Sequence, residues 1–354
     1  MTVNKNKHTI EFYNNKVNTF PLISIILPVF NGEEYLSQAI DSCLNQSFKN
    51  WELVIVNDCS TDQSLKIAKY YQTIDKRIKI VENETNKKLP YSLNAGFEVA
   101  HGEYITWTSD DNLLKPNFLE TLLNKLIQTK ADFVFSNYDI VDHDGDHIKK
   151  QPVGIVEELL FQNVIGPSFL GRASLFKKNT YDIDLFRIED YAFWLTNLPF
   201  IRQYRVEENL YKYRVHGSSL TTEISASGGF RRDLIERMFT KLQINFGYDE
   251  ITKRFLVLNH LNKKEASVYL FENQKILIAS IVKIHQNYFQ FGADTTFNAH
   301  IKHYEKLLDL LATIKSLKVS FNIVKGYKLS GQTLIWLLIY TLKRIKRLVV
   351  KIYK

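Results

Sequence analysis

Asp110 and Asp111 are adjacent carboxylates placed directly after a short apolar, β-prone run, Tyr104-Ile105-Thr106-Trp107-Thr108. A buried strand ending in two acids delivers hard oxygen ligands to the carboxyl edge of a sheet, where open α/β sheets bind ligands. Such carboxylates repel unless positive charge sits between them. A divalent cation carrying a phosphorylated substrate meets that need. The same residues also suit a polar turn, with Asn112 capping a helix that starts near Pro116. Asn31 and Asp58 occupy equivalent positions, each just past a predicted strand. Asp58 there can accept from a base N–H or a ribose hydroxyl, or cap the helix that follows. No GxGxxG or Walker-type loop occurs in the chain, which disfavours dinucleotide and P-loop chemistry.

The elements that must hold these residues are legible as strand–helix alternation. Residues 23–30 and 51–57 are apolar runs of the kind covered on both faces of a sheet, and 78–81 is a third strand. Between them, Tyr35, Leu36, Ile40, Cys43 and Leu44 recur at helical spacing over 33–46. Residues 63–71 and 92–100 read as further helices. Short loops joining such elements specify a parallel, doubly wound α/β sheet. Downstream, Leu119, Leu122, Leu123 and Leu126 mark a helix over 117–128, and 132–138 is another strand. The acidic run Asp142-His143-Asp144-Gly145-Asp146 reads as a hairpin turn, since it lacks the length and terminal Glu of a calcium loop.

With 354 residues the chain is long enough for one large domain plus an appendage. Cys43 and Cys59 are its only cysteines and define neither a disulfide framework nor a metal cluster, which favours a reducing, cytoplasmic setting. Residues 1–20 lack the apolar core of a signal peptide and read as a loose lead-in. The net charge of +8 belongs to the tail: ten basic and no acidic residues follow Asp309, and without those ten, 36 basic face 38 acidic residues. Within 333–354, Leu338, Leu342, Ile345, Val349 and Ile352 fall on one helical face, with Lys343, Arg344, Lys346, Arg347, Lys351 and Lys354 around them. That pattern fits a helix lying on an anionic membrane surface, or a tail packed on its own domain or a partner. The apolar part is far short of the ~20 residues a span requires. A nucleic-acid grip is disfavoured, because no stacking platform accompanies the basic residues.

Four separated segments resemble the successive signatures of family 2 glycosyltransferases: Pro28-Val29-Phe30-Asn31-Gly32-Glu33-Glu34-Tyr35-Leu36, Val56-Asn57-Asp58-Cys59-Ser60-Thr61-Asp62, Asn94-Ala95-Gly96 and residues 102–112. The resemblance spans about 21–220. It implies a GT-A fold: a Rossmann-like, mostly parallel α/β sheet flanked by helices, with a C-terminal helical region following. It also implies a nucleotide-sugar donor, a divalent cation (Mn²⁺ or Mg²⁺) and inversion at the anomeric carbon. By position, Pro28, Phe30, Asn31, Glu33, Asp58, Asn94 and Asp110 would contact the nucleotide sugar, and Asp111 would hold the metal. Ser109 replaces the first acid of the Asp-x-Asp motif, and Leu93 stands where the family often has Arg. Lys87 and Lys88, just upstream, are candidates for the missing positive charge.

Inversion needs a base to take the acceptor hydroxyl proton, a role worth about 10²–10⁴-fold. Asp190 matches that base and Glu189 would orient it or touch the acceptor, although both acids also suit a helix N-terminus. Residues 165–172 lie where the resembled family faces its acceptor. In Tyr213-Arg214-Val215-His216-Gly217-Ser218-Ser219, His216 corresponds to a histidine near donor phosphates or metal, or is structural. The expected domains are a lead-in (1–20), a transferase domain (21–220), a helical appendage (221–311) and a basic amphipathic tail (312–354). The appendage contains no chemical motif and reads as packing or a dimer contact. The resulting expectation is a peripheral enzyme on the inner membrane face, using a UDP-sugar to extend a glycan or lipid-linked acceptor. The alternatives are a nucleotidyltransferase, which would show a Gly- and Arg-rich loop after its first strand, or a nucleic-acid-binding protein. A Ser-His-Asp hydrolase lacks its nucleophile elbow here.

Overall fold

A computed structural model describes residues 21–217 and 228–288. The lead-in 1–20 and the tail 333–354 lie outside the described residues. All seven residues of β1 (Ile23–Val29) and of β2 (Trp51–Asn57) are buried, as an apolar run on both faces requires. The two strands pair in parallel, Ile23 against Trp51 and Val29 against Asn57. β3 (Ile78–Glu82) and β4 (Tyr104–Trp107) extend the parallel set on either side. Parallel neighbours need crossover connections, supplied by α1 (Leu36–Leu44), α2 (Ser64–Ile74) and α3 (Leu89–Val99). Leu36, Ala39, Ile40 and Cys43 bury the inner stripe of α1. At Gly96 of α3 an added Cβ would lie 2.3 Å from Ile26 Cγ2, so the missing side chain lets the helix settle directly on β1.

The second half is mixed. β5 (Leu113–Leu114), α4 (Phe118–Thr129), β6 (Phe133–Val141), β7 (His147–Gln151), β8 (Phe169–Arg172), α5 (Ala173–Lys178), α6 (Glu189–Asn197) and β9 (Gln203–Arg214) follow in chain order. Among the described residues the sheet has nine strands in the order β3-β2-β1-β4-β8-β6-β9-β5, with β7 on β6. β6 and β9 are parallel, whereas β8 runs antiparallel to both β4 and β6. The expected hairpin forms at 142–146, where the Asp142 carboxylate accepts from the Asp144 and Asp146 N–H groups. Three helices close the described chain: α7 (Gly228–Phe246), α8 (Glu250–Leu261) and α9 (Lys263–Tyr288), the last kinked at Asn273. Among the described residues no helix is long and apolar enough to cross a membrane.

The amino end of the parallel strands is stapled by Glu52, whose side chain is only 6 % exposed. Its carboxylate accepts from the Ser24 hydroxyl at 2.6 Å, the His101 N–H at 2.6 Å and Lys79 Nζ at 2.7 Å. Burial alone would push this carboxyl up, but Lys79, Ser24 and His101 together hold it below its ordinary value. A depressed acid stabilises the fold above its unfolded pKa and loses that contribution as pH falls through the folded value. Glu52→Gln should therefore cost about 1–3 kcal/mol at pH 7. In urea unfolding, the gap to the parent should close as pH drops below about 4; a gap independent of pH would contradict this account.

Candidate active site

The loops after β1, β2 and β4 leave the same edge of the sheet. The register fixes this: the Asp58 N–H bonds the Val29 carbonyl at 2.8 Å, and the Thr108 N–H bonds the Ile26 carbonyl at 2.9 Å. Pro28 is buried within β1 opposite Val56, while Phe30 at its mouth is 46 % exposed. Asn31 and Glu33 zip the first loop to the second. Asn31 Oδ1 accepts from the Thr61 N–H at 2.8 Å, and Glu33 Oε2 accepts from the Gln63 N–H at 2.8 Å. In return the Gly32 and Glu33 N–H groups bond Ser64 Oγ and Asp62 Oδ2. Asn31 itself takes a left-handed φ of 53°.

Asp58 is buried, and its carboxylate organises residues 83–88. Oδ1 accepts from Asn83 Nδ2 and the Lys87 N–H, and Oδ2 from the Lys88 N–H, each at 2.8 Å. With about four lone-pair sites per carboxylate, a single one on Oδ2 remains for a ligand. Asp58 therefore builds a loop wall rather than capping the helix after it. Lys87 and Lys88, both exposed, lie on that wall, with Lys87 Nζ 5.8 Å above the Tyr91 ring. Asn94 differs from the expectation of a donor contact. Both ends of its amide are used on the Tyr181 backbone, Oδ1 accepting and Nδ2 donating at 2.8 Å.

The two acids after β4 diverge. Asp110 turns toward the first loop, where a Cβ on Gly32 would stand 2.1 Å from Asp110 Oδ2. Only glycine admits that approach. Burial and the neighbouring Asp111 charge push Asp110 up to about 8, against N–H donors that include Phe30. Asp111 takes a different partner, with Oδ2 3.0 Å from His216 Nε2. Burial raises its pKa, and His216 opposes the rise. Asp111 Oδ1 is buried with no protein donor.

Arg214 holds this arrangement and was not singled out by sequence. It is 1 % exposed. Nε donates to the Asp111 carbonyl at 2.9 Å, Nη2 to Gln38 Oε1 at 2.7 Å, and Nη1 to the His143 carbonyl. Its guanidinium lies 4.4 Å from the Tyr35 ring centroid. Asn112 completes the clamp, its Oδ1 accepting from the Arg214 N–H at 2.8 Å instead of capping a helix. One arginine thus ties β9, α1 and the β6–β7 turn to the acid loop. The available signal was its place two residues before His216.

A divalent cation fits Asp111 and His216. Asp111 Oδ1, buried without a protein donor, is a hard oxygen ligand, and His216 Nε2 could join it as a borderline ligand once the hydrogen it shares with Asp111 Oδ2 is displaced. Among the described residues no group of three or more His, Cys, Asp or Glu side chains could hold a metal. Further ligands would therefore come from substrate phosphates and water, the usual mode for Mg²⁺.

Glu189 and Asp190 open α6. Asp190 Oδ2 accepts from Asn163 Nδ2 at 3.0 Å and Oδ1 from the Tyr191 N–H at 2.6 Å. Glu189 is buried, and its Oε2 has no donor. Burial and the Asp190 charge push Glu189 up to about 8, and burial raises Asp190 against its two donors. Tyr181 relays this helix to β4: its ring stacks on Phe193 at 4.6 Å and its hydroxyl accepts from Trp107 Nε1 at 3.0 Å.

Residues 24–194 match the family model described as "Glycosyl transferase family 2". An uncharacterized glycosyltransferase of Haemophilus influenzae is 36% identical over 187 residues, 52% of this chain and 74% of the relative. A Bacillus subtilis protein named for teichuronic acid biosynthesis, the glycosyltransferase TuaG, is 30% identical over 211 residues, 58% of this chain and 83% of its own. The crystal structure of S. aureus TarS 1–349 in complex with UDP-GlcNAc superposes with a TM-score of 0.57 at 19% identity, covering 75% of this chain and 81% of that one. That likeness establishes the shared fold.

Arg214→Met would leave three acceptors without their donor, each worth about 1–3 kcal/mol when buried. Urea unfolding should register a loss of at least about 2 kcal/mol. Arg214→Lys should recover only part of it, because an ammonium cannot reproduce the planar fork. An unchanged midpoint for Arg214→Met would refute the clamp.

Proposed function

The chain belongs to glycosyl transferase family 2, and from that premise we propose that it moves a sugar from a UDP-sugar to an acceptor hydroxyl, with inversion, using Mn²⁺ or Mg²⁺. The observation that carries this reading is Asp111: one oxygen sits on His216 and the other is buried and unpartnered, at the edge from which the loops after β1, β2 and β4 leave the sheet. Asp111 and His216 would hold the cation, which as a Lewis acid stabilises the departing diphosphate. Asp110, Asn31 and Glu33 shape the loop on the donor side. Phe30 offers an exposed ring for stacking on the base, and Asp58 retains one acceptor position. The UDP-GlcNAc complex of TarS supports a uridine donor. The name of TuaG supports a surface polysaccharide or glycoconjugate as the product class. Docking on an anionic membrane through 333–354 accords with a lipid-linked acceptor.

Within the acid pair, Asp190 is the base. Its two donors favour the carboxylate, whereas Glu189 lacks a donor at Oε2 and is pushed up by burial and by the Asp190 charge. A carboxyl with an amide and an N–H donor beside one with an unpaired oxygen suits a division into base and neighbour. Asp190 takes the proton from the acceptor hydroxyl as that oxygen attacks the anomeric carbon and the bond to the diphosphate breaks.

A screen of UDP- and GDP-sugars with Mn²⁺ identifies the donor. UDP titrated by calorimetry tests the cation: Asp111→Asn should weaken UDP binding about tenfold or more in Mn²⁺, some 1.4 kcal/mol. Equal affinity of the parent for UDP with Mn²⁺ and with chelator would remove the metal from the reading. Asp190→Asn should keep UDP affinity while transfer falls about 10²–10⁴-fold. Because burial raises Asp190 and the ionised form is active, the rate of the parent should fall with decreasing pH above the usual aspartate range of about 4. Unimpaired turnover in Asp190→Asn would strip that residue of its role.

A further inference from the structure

The helices beyond the transferase core read from sequence as packing material, but the carboxyl end of α8 reaches both structures that hold Asp190. The first is the segment 159–163, which carries Asn163 to the Asp190 carboxylate. Asn259 Nδ2 donates to the Phe161 carbonyl at 2.8 Å, two residues before that asparagine. The second is α6 itself. The Tyr191 hydroxyl, on the residue after Asp190, lies 2.7 Å from His260 Nε2 and donates to the Leu159 carbonyl. His260 Nδ1 in turn sits 2.7 Å from the Leu256 carbonyl, one turn back in α8.

His260 thus bridges its own helix, through the Leu256 carbonyl, and the Tyr191 hydroxyl, its tautomer setting which ring nitrogen carries the hydrogen. The foundation is rigid: Asp249 caps α8 by accepting from the Thr252 N–H at 2.7 Å, and Phe255, Leu256, Val257 and Leu258 are buried. The His260 ring also packs 5.1 Å from Phe239 of α7.

We propose that Asn259 and His260 are positioning residues for the transfer step, acting through Asn163 and Tyr191 to aim the Asp190 carboxylate at the acceptor hydroxyl. The inference rests on Asp190 being the base. It assigns the helical region a part in turnover, without contact with donor or acceptor. Misplacing a reacting group by about 1 Å can cost up to about 100-fold, so small displacements of this mount are expressed in rate.

The test uses the full chain with Asn259→Asp, His260→Ala and Tyr191→Phe. Asn259→Asp is isosteric and turns a donor into an acceptor facing the Phe161 carbonyl; Tyr191→Phe keeps the ring and its packing. UDP affinity with Mn²⁺ by calorimetry, thermal midpoint, and kcat with the donor found in the screen are measured for each. Expected are UDP affinities within about twofold of the parent and kcat falling about 10- to 100-fold. Asn259→Gln, which restores an amide donor, should recover more activity than Asn259→Asp. Parental kcat in all three variants, while Asp190→Asn is inactive, would overturn the positioning role and leave the base in place. Loss of UDP affinity in step with kcat would also overturn it, since the defect would then be general. Full turnover in Asp190→Asn would remove the base, and the inference with it.

Discussion

The constraint on which this site depends is electrostatic: two consecutive carboxylates are held at the end of a buried strand. In water such neighbours would relax apart. Here β4 is fixed between β1 and β8, so the repulsion has to be met by the surroundings. The chain answers in two directions. Asp110 is turned against the bare Cα of Gly32, and burial beside the Asp111 charge raises its pKa. Asp111 is turned toward His216, with the Arg214 guanidinium fixed on its carbonyl. The two acids thus meet different surroundings, and Asp111 keeps one buried oxygen without a protein donor.

The same economy appears at the second acid pair, by other means. Glu189 is buried with an oxygen unpaired, while Asp190 receives an amide and a backbone N–H. The aromatic cluster around Tyr181 links the two pairs mechanically. Tyr181 touches Trp107 at the end of β4, Asn94 on α3 and Phe193 on α6, so the helix bearing the second pair is referenced to the strand bearing the first. Both ends of the Asn94 amide are bonded to the Tyr181 backbone, which fixes α3 to the same ring.

Much of this was legible in the sequence, and the limits have physical causes. β1 and β2 announced themselves because strands covered on both faces must be apolar throughout, and the acid pairs because carboxylates after apolar runs are conspicuous. β9 carried no such mark. In Gln203–Arg214 only Val206, Leu210, Tyr211 and Arg214 are buried, and two of its β6 pairings shift register. Its polar, irregular pattern therefore imitates a loop. Arg214 was hidden for a related reason: a basic residue is ordinarily solvated, and nothing local reveals that this one is enclosed by Tyr35, Gln38 and the 143 carbonyl. The inward-turned bonding of Asp58 and Asn94 was equally invisible, since an amide or carboxylate at a loop looks the same whether it faces ligand or backbone.

β7, the outer arm of the β6–β7 hairpin, carries His147, Lys149 and Lys150 exposed beside a single apolar side chain, Ile148, and among the described residues it pairs only with β6. An unpaired strand border is a template on which another polypeptide can zip up and nucleate aggregates. Lysines along that border make a like approach electrostatically unfavourable and keep the ribbon short and hydrated. The hairpin that offers its turn carbonyl to Arg214 therefore ends in a self-avoiding margin, which guards crowded copies of the enzyme against sticking to one another.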